Sequence, residues 1–261
     1  MTTATLLGRR ILVTRARHQA EELVELLRQR GAEPIAVPVM QLEPLLSERE
    51  LRDLSLEISN GRWEDLIFTS ANAVRLVLPP FPETGTPPRV FAIGLGTAAA
   101  VSRRGWRVEQ LADSFLAEGL ASRLLGEGVT GRRMLLPRAA GARELLPHVL
   151  TGAGAQLQVV DLYRLTPDRS SEAELARVLS DPRLDGIVFA SGSAISCFET
   201  LRGEIPLPHQ VLIACIGPVT ARAAKEAGLP PGLVAEEQSL PALVAALELQ
   251  LGPLPENGRQ S

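Results

Sequence analysis

The stretch GRRILVTRARHQAEELVELLRQRGAEPIAVPVMQLEP, Gly8–Pro44, aligns without a gap on GRRMLLPRAAGARELLPHVLTGAGAQLQVVDLYRLTP, Gly131–Pro167. The offset is a constant 123, and 14 of the 37 positions are identical. Among them are Gly8/Gly131, Arg15/Arg138, Glu21/Glu144, Gly31/Gly154 and Pro44/Pro167. The match resumes at IFTSANA (Ile67–Ala73) against VFASGSA (Val188–Ala194), offset 121, and at AIGLGTA (Ala92–Ala98) against CIGPVTA (Cys215–Ala221), offset 123. A period this long exceeds the roughly 20–50 residues of a solenoid unit. It reads as duplication of a whole α/β domain. Two such domains side by side make a cleft, and small-molecule sites favour clefts between domains.

Working outward, the 261 residues are 45% hydrophobic but only 3% aromatic, so two cores of Leu, Val, Ile and Ala are expected. Net charge is −3, which gives no support for nucleic-acid binding. Cys197 and Cys215 are the only cysteines and sit in no CxxC pattern, which marks them as buried thiols. His18, His148 and His209 are scattered, without metal-ligand spacing. There is no leader pattern and no apolar run near the roughly 20 residues that span a bilayer. A cytoplasmic protein with no membrane association follows, and a monomer is the default.

Arg10–Thr14 reads as a buried strand. Apolar residues at Ala20, Leu23, Val24, Leu26 and Leu27 make Gln19–Arg30 a helix, with Gly31 as its stop. Ile35–Val39 is strand-like. The β-α order repeats as Leu66–Thr69 into Asn72–Leu78 and as Val90–Ile93 into Thr97–Arg104. Pro79–Pro88 reads as a surface loop, Phe115–Leu125 and Pro241–Leu251 as helices, and Gly252–Ser261 as a frayed tail. Strands alternating with helices predict an α/β fold of two similar lobes, each a parallel sheet flanked by helices. Two partitions fit. One has sequential halves, about 1–127 and 128–261. In the other, Val39–Leu45 and Leu162–Asp168 pair as a two-stranded β connector, one lobe combining both chain ends.

Three strand-to-helix turns recur in both copies. Arg15 and Arg138 follow a strand directly. Thr69-Ser70-Ala71-Asn72 faces Ala190-Ser191-Gly192-Ser193, and Gly94-Leu95-Gly96-Thr97 faces Gly217-Pro218-Val219-Thr220. In a parallel sheet such turns lie at the carboxyl ends of strands, where ligands bind. Backbone N–H groups and hydroxyls at helix N-termini receive carboxylate or phosphate. Ordinary N-capping explains each turn taken singly. Gly94-Leu95-Gly96-Thr97-Ala98-Ala99 also fits a dinucleotide fingerprint, but it comes third rather than in the first βαβ unit. Tyr163, the only tyrosine, lies beside Arg164 in the connector stretch. No Ser-His-Asp or Cys-His pattern is present. Catalysis would therefore rest on positioning, hydrogen bonding and a weak acid.

VTRA, FTSANAV, AIGLGTA, LLPRAAGARELLPHVLTGAGA, VVDLYR, VFASGSAI and CIGPVTARAAKEAGL together resemble uroporphyrinogen-III synthase, from about Arg10 to Leu247. The resemblance implies the discontinuous partition: 1–38 plus 167–261, 45–161, and a connector of 39–44 with 162–166. It implies closure of the linear tetrapyrrole hydroxymethylbilane, with loss of water and inversion of the last ring through a spiro intermediate. It implies no metal, no organic cofactor, no nucleic acid, and at most transient contact with the upstream deaminase. Carried over by position, Tyr163 matches a tyrosine that assists departure of the hydroxyl. Gly217, Pro218 and Thr220, with Ser191, Gly192 and Ser193, match substrate-contacting turns. Ser70, Thr97, Arg15 and Arg138 are further substrate-binding candidates. Ala190 departs from its partner Thr69 and offers no hydroxyl. A non-catalytic two-lobed binding protein for an anionic small molecule is the alternative.

Overall fold

The structure is a computed structural model and describes residues 5–81, 87–109 and 117–253, apart from the His18 side chain. The chain opens with β1 (Arg10–Val13), α1 (Arg17–Arg28), β2 (Glu33–Ala36) and β3 (Met40–Pro44). It continues through α2 (Glu48–Ser59), β4 (Asp65–Phe68), α3 (Ala71–Val77), β5 (Arg89–Ala92), α4 (Leu95–Ser102) and α5 (Ala117–Glu127). Then come β6 (Arg133–Ala139), α6 (Leu145–Gly152), β7 (Gln156–Pro167), a 3₁₀ turn at Arg169–Ser171, α7 (Glu172–Leu179) and β8 (Leu184–Phe189). The last elements are α8 (Gly192–Arg202), β9 (Leu212–Cys215), α9 (Pro218–Glu226), β10 (Leu233–Val234) and α10 (Leu240–Leu251). Two compact units result. Unit 1 holds the described residues up to Gln41 and from Leu165 onward, and unit 2 holds Leu42–Arg164.

In unit 1 the strand order is β10-β9-β8-β1-β2, and every pairing is parallel. Side chains alternate along each strand, so a strand that is apolar throughout feeds two cores. Ile11, Val13, Val188 and Ala214 pack with Leu23 and Leu27 of α1 and Leu243 and Leu247 of α10. Leu12, Ile187, Phe189, Ile213 and Cys215 pack with Leu175 of α7, Ile195 and Phe198 of α8 and Ala224 of α9. The sheet is therefore wound on both faces, as the strand–helix alternation predicts. Both cysteines are buried and free, and burial pushes the Cys215 thiol up to about 11.

In unit 2 the order is β3-β7-β6-β4-β5, with β4, β5, β6 and the body of β7 parallel. Ile67, Phe91, Met134 and Leu136 meet Leu120 and Leu124 of α5 and Leu146 and Leu150 of α6. β3 runs against β7: Leu45 N donates to Leu162 O at 2.9 Å and Asp168 N to Val39 O at 3.1 Å, so the strands are antiparallel. The chain passes from unit 1 to unit 2 along β3 and returns along β7.

The repeat predicts a match between the two sheets. Shifted by its offsets, β1, β2, β8 and β9 become β6, β7, β4 and β5, and β9-β8-β1-β2 reads β5-β4-β6-β7. Both first helices stop in the same way. Gly31 and Gly154 have φ of 83° and 85°. Ala32 N donates to Leu27 O and Ala155 N to Leu150 O, a six-to-one closure that needs the left-handed residue.

The strand expected over Ile35–Val39 ends at Ala36 instead. Pro38 supplies no N–H to a ladder, so the chain is non-strand until β3 begins at Met40. In the second copy the same position is Asp161, and β7 runs unbroken for 12 residues. The helix expected from Asn72 starts at Ala71, the one expected from Thr97 starts at Leu95, and Pro241 lies inside α10. Parts of the Pro79–Pro88, Phe115–Leu125 and Gly252–Ser261 expectations lie outside the described residues.

α2 begins with a capping box. Ser47 Oγ accepts from Glu50 N at 3.3 Å, and Glu50 Oε2 accepts from Ser47 N at 2.8 Å. Ser47→Ala is expected to destabilise unit 2 by about 1 kcal/mol, read as a lower urea midpoint at unchanged slope.

Candidate functional site

In unit 1 three adjacent parallel strands end together. β1 leads into Thr14-Arg15, β8 into Ala190-Ser191, and β9 into Ile216-Gly217. The chain leaves β1 toward β2 on one side and adds β8 on the other, so the switch point of this sheet lies between β1 and β8. Thr14 Oγ1 donates to Val188 O at 2.7 Å and ties the two strands at that edge. Ser191 Oγ accepts from Ala194 N at 3.2 Å and caps α8. A Cβ on Gly192 would meet Ala223 Cβ at 3.3 Å, so the small residue lets α8 start close against α9. Ser193 is exposed, whereas Thr220 is 4% exposed. Gly217 is the N-cap of α9 and carries no side-chain cap, and Pro218 follows at the first helical position.

Unit 2 presents the matching edge. Ser70 Oγ caps α3, accepting from Asn72 N at 3.0 Å and Ala73 N at 3.4 Å. The same oxygen lies 2.6 Å from Tyr163 Oη. Gly94 is the N-cap of α4 without a side-chain cap, and its φ of 85° explains the glycine. A Cβ on Gly96 would meet nothing within 4 Å, so the second glycine of the fingerprint is not held by packing. Thr97 is 6% exposed, like its counterpart Thr220.

Tyr163 owes its place to a β-bulge. The β6–β7 register runs Arg138↔Asp161 and then Ala139↔Tyr163, skipping one residue. Strand alternation breaks there, and Leu162 and Tyr163 are both buried, at 0% and 2% exposed. In the first copy this position is Met40, which joins a hydrophobic core. Only unit 2 therefore carries the hydroxyl pair.

The two arginines part company. Arg138 is 8% exposed; Nε donates to Asp161 Oδ1 at 2.9 Å and Nη2 to Glu144 Oε1 at 2.6 Å. Burial lowers its pKa, but Glu144 and Asp161 more than offset this and the result is raised. Arg15 is half-buried and its Nε has no hydrogen-bond partner. Burial lowers its pKa, and the attraction of Glu22 does not restore it.

The structure thus places Arg15, Ser191, Gly192, Ser193, Gly217, Pro218 and Thr220 at the carboxyl edge of unit 1. Ser70, Thr97, Arg138 and Tyr163 stand at the carboxyl edge of unit 2. Sequence reasoning missed Arg75, whose Nη2 donates to Asn72 Oδ1 at 2.8 Å. The available signal was its spacing of three from Asn72, on the same face of α3. It also missed Asp161 and Glu144 as partners of Arg138. No group of three or more His, Cys, Asp or Glu able to hold a metal occurs among the described residues. No described helix is long and apolar enough to cross a membrane.

Two α/β units, each with hydroxyls and a helix N-terminus without a side-chain cap at its carboxyl edge, define a class of two-unit α/β proteins. The model of the family described as "Uroporphyrinogen-III synthase HemD" matches residues 21–245. A protein of Methanothermobacter thermautotrophicus provisionally named uroporphyrinogen-III synthase is 30% identical over 92% of this chain and 98% of its own. The uroporphyrinogen-III synthase of Synechococcus elongatus is 28% identical over 95% and 97%. The crystal structure of the Helicobacter pylori uroporphyrinogen-III synthetase superposes with a TM-score of 0.61 at 19% identity, over 93% of this chain and 99% of that one. The chain belongs to the uroporphyrinogen-III synthase family.

Proposed function

We propose that the chain closes linear hydroxymethylbilane to uroporphyrinogen III, losing water and inverting the last pyrrole ring through a spiro intermediate. The observation that carries the chemistry is the Tyr163–Ser70 pair at 2.6 Å. A hydroxyl oxygen has two lone pairs and one proton. Ser70 Oγ already accepts from Asn72 N and Ala73 N. With Ser70 Oγ as the donor of that pair, the phenolic proton is free for substrate. That proton goes to the departing hydroxyl, the carbon–oxygen bond breaks, and water leaves. The substituted carbon of the terminal ring attacks the methylene so exposed and forms the spiro intermediate; its bond to the original bridging methylene then breaks, and that methylene rejoins the ring at its free α carbon, which gives up its proton. The proton lost when the final pyrrole is restored returns to the phenolate, so the catalyst is regenerated. Hydroxymethylbilane closes unaided to the uninverted isomer, so the larger task is orientation. Backbone N–H groups at a helix N-terminus supply the contacts for its carboxylates.

The same reading takes the chain as a duplicated, cytoplasmic monomer that receives a labile substrate by transient contact with its upstream deaminase. The matched strand orders of the two sheets support the duplication. Sedimentation equilibrium at 28.0 kDa is the expected mass.

The test is a coupled assay. The deaminase generates hydroxymethylbilane in situ, the products are oxidised, and the uroporphyrin isomers are separated. Predominant type III is expected. Type I alone, from folded protein, would replace this reading with that of an anion-binding protein.

A further inference from the structure

We infer that Arg15 is the carboxylate receptor of unit 1, and that its sequence counterpart Arg138 is committed to holding unit 2 together. The inference rests on the synthase reading for the identity of the carboxylate, not for the existence of the receptor.

The two arginines occupy equivalent places, each just beyond or at the end of the strand beside the switch point. Arg138 is neutralised by two carboxylates, although its buried Nη1 has no partner, and the first copy makes neither of those pairings. Asp161 is replaced by Pro38, which has no charge and ends the strand. Glu144 is retained as Glu21, but the backbone around it differs. In unit 2 Ala140 and Gly141 form a turn, with Gly141 at φ 73°, residues 142–144 are not helical, and α6 begins only at Leu145. That turn brings Glu144 back to Arg138. In unit 1 the corresponding residues are already helix, because α1 begins at Arg17. Glu21 is carried onto the exposed side of α1, where no ion pair joins it to Arg15.

Arg15 is left with a buried Nε that no acceptor meets, and no hydrogen bond or ion pair joins its guanidinium to another described residue. Glu22 acts on it only through its field. Arg15 also precedes Ala16, the N-cap of the 12-residue α1, which has no side-chain cap and no acidic residue in its first turn. A half-buried guanidinium beside an uncapped helix start has its desolvation cost uncompensated within the chain. A carboxylate at the terminal nitrogens supplies the missing charge in the planar geometry that arginine favours. Because the cation is unpaired in unit 1 and paired in unit 2, the two similar edges are not equivalent toward an anion.

The test compares Arg15→Met and Arg138→Met with wild type. Arg15→Met should melt at or above the wild-type temperature, because it removes an uncompensated charge, whereas Arg138→Met should melt lower. With uroporphyrin III as an octacarboxylate probe, read by its fluorescence, Arg15→Met should bind about 10- to 100-fold more weakly. Arg138→Met, assayed below its melting point, should lose far less. In the coupled assay Arg15→Met should raise KM more than it lowers kcat, and Arg15→Lys should recover part of the loss. Equal probe affinity for Arg15→Met and wild type would overturn the inference, as would a melting temperature lowered as much as in Arg138→Met. Wild type that yields only the type I isomer would sink the synthase reading and leave the probe comparison to decide Arg15.

Discussion

Tyr163→Phe is expected to lower kcat about a hundredfold, the lower end of what one positioned proton donor contributes. The melting temperature should fall by only a few degrees. The substitution removes one atom and keeps the ring, which is 2% exposed and fills the space beside the bulge in β7. The lost hydrogen bond to Ser70 is worth about 1 kcal/mol. Turnover and stability are thus expected to separate, which they would not if the residue only packed. Residual turnover should remain, because orientation of the bilane does not need the phenol. The fraction of type I isomer should rise as unassisted closure competes with the slowed enzyme. Ser70→Ala should move turnover in the same direction but less, since the phenolic proton stays while its orientation is lost. It should also cost about 1 kcal/mol for the α3 cap. Steady-state kinetics beside calorimetry on the three proteins decides the matter, and an unchanged kcat in Tyr163→Phe removes the residue from the mechanism.

The largest stability effect is expected at Asp65. This carboxylate is fully buried at the start of β4. It accepts Arg132 Nε at 2.6 Å, Arg89 Nε at 2.6 Å and Arg132 Nη2 at 3.0 Å. Asp65→Ala leaves two arginines facing each other over an empty site. Breaking a buried ion pair costs about 3–5 kcal/mol. The arginine side chains are about one-third exposed and partly screened, which places the loss near the lower figure. A drop of roughly 6–12 °C in melting temperature follows for a chain of this size. Burial pushes the Asp65 carboxyl up, yet hydrogen bonds from Arg132 and Arg89 outweigh it and the native value is lowered. The sign follows: the contribution is complete above the unfolded value, near pH 4, and is lost as pH falls through the lowered native value. Melting curves of wild type and Asp65→Asn should therefore converge on acidification. A constant gap down to pH 2 would show that packing, not charge, makes the difference.

Charges at the starts of the strands also bear on which strands became neighbours. Arg9 Nη1 donates to Asp185 Oδ1 at 2.7 Å, and Arg10 Nη1 lies 2.5 Å from Asp181 Oδ2, so β1 meets carboxylates at the start of β8. Arg132 and Arg133, their counterparts, meet Asp65 and Glu64 at the start of β4. In both cases the arginine pair of one copy is answered by the acidic pair of the other. The pairing is parallel and distant in sequence, so no local pattern announces it.

The sequence by itself determined the α/β class, the repeat, the helix stops at Gly31 and Gly154, and the turns that carry hydroxyls and glycines. These follow from periodicity, from residues that tolerate positive φ, and from polar residues that cap helices, all local properties that travel with the segment. It did not determine whether β1 sits beside β4 or β8, because the two copies present the same apolar alternation and either strand would fill the place. Nor did it determine the bulge that buries Tyr163 against Ser70, or the opposite states of Arg15 and Arg138. Those depend on register and on where a helix begins relative to its strand. They are set by long-range packing, so identical residues in matched positions end in different electrostatic environments.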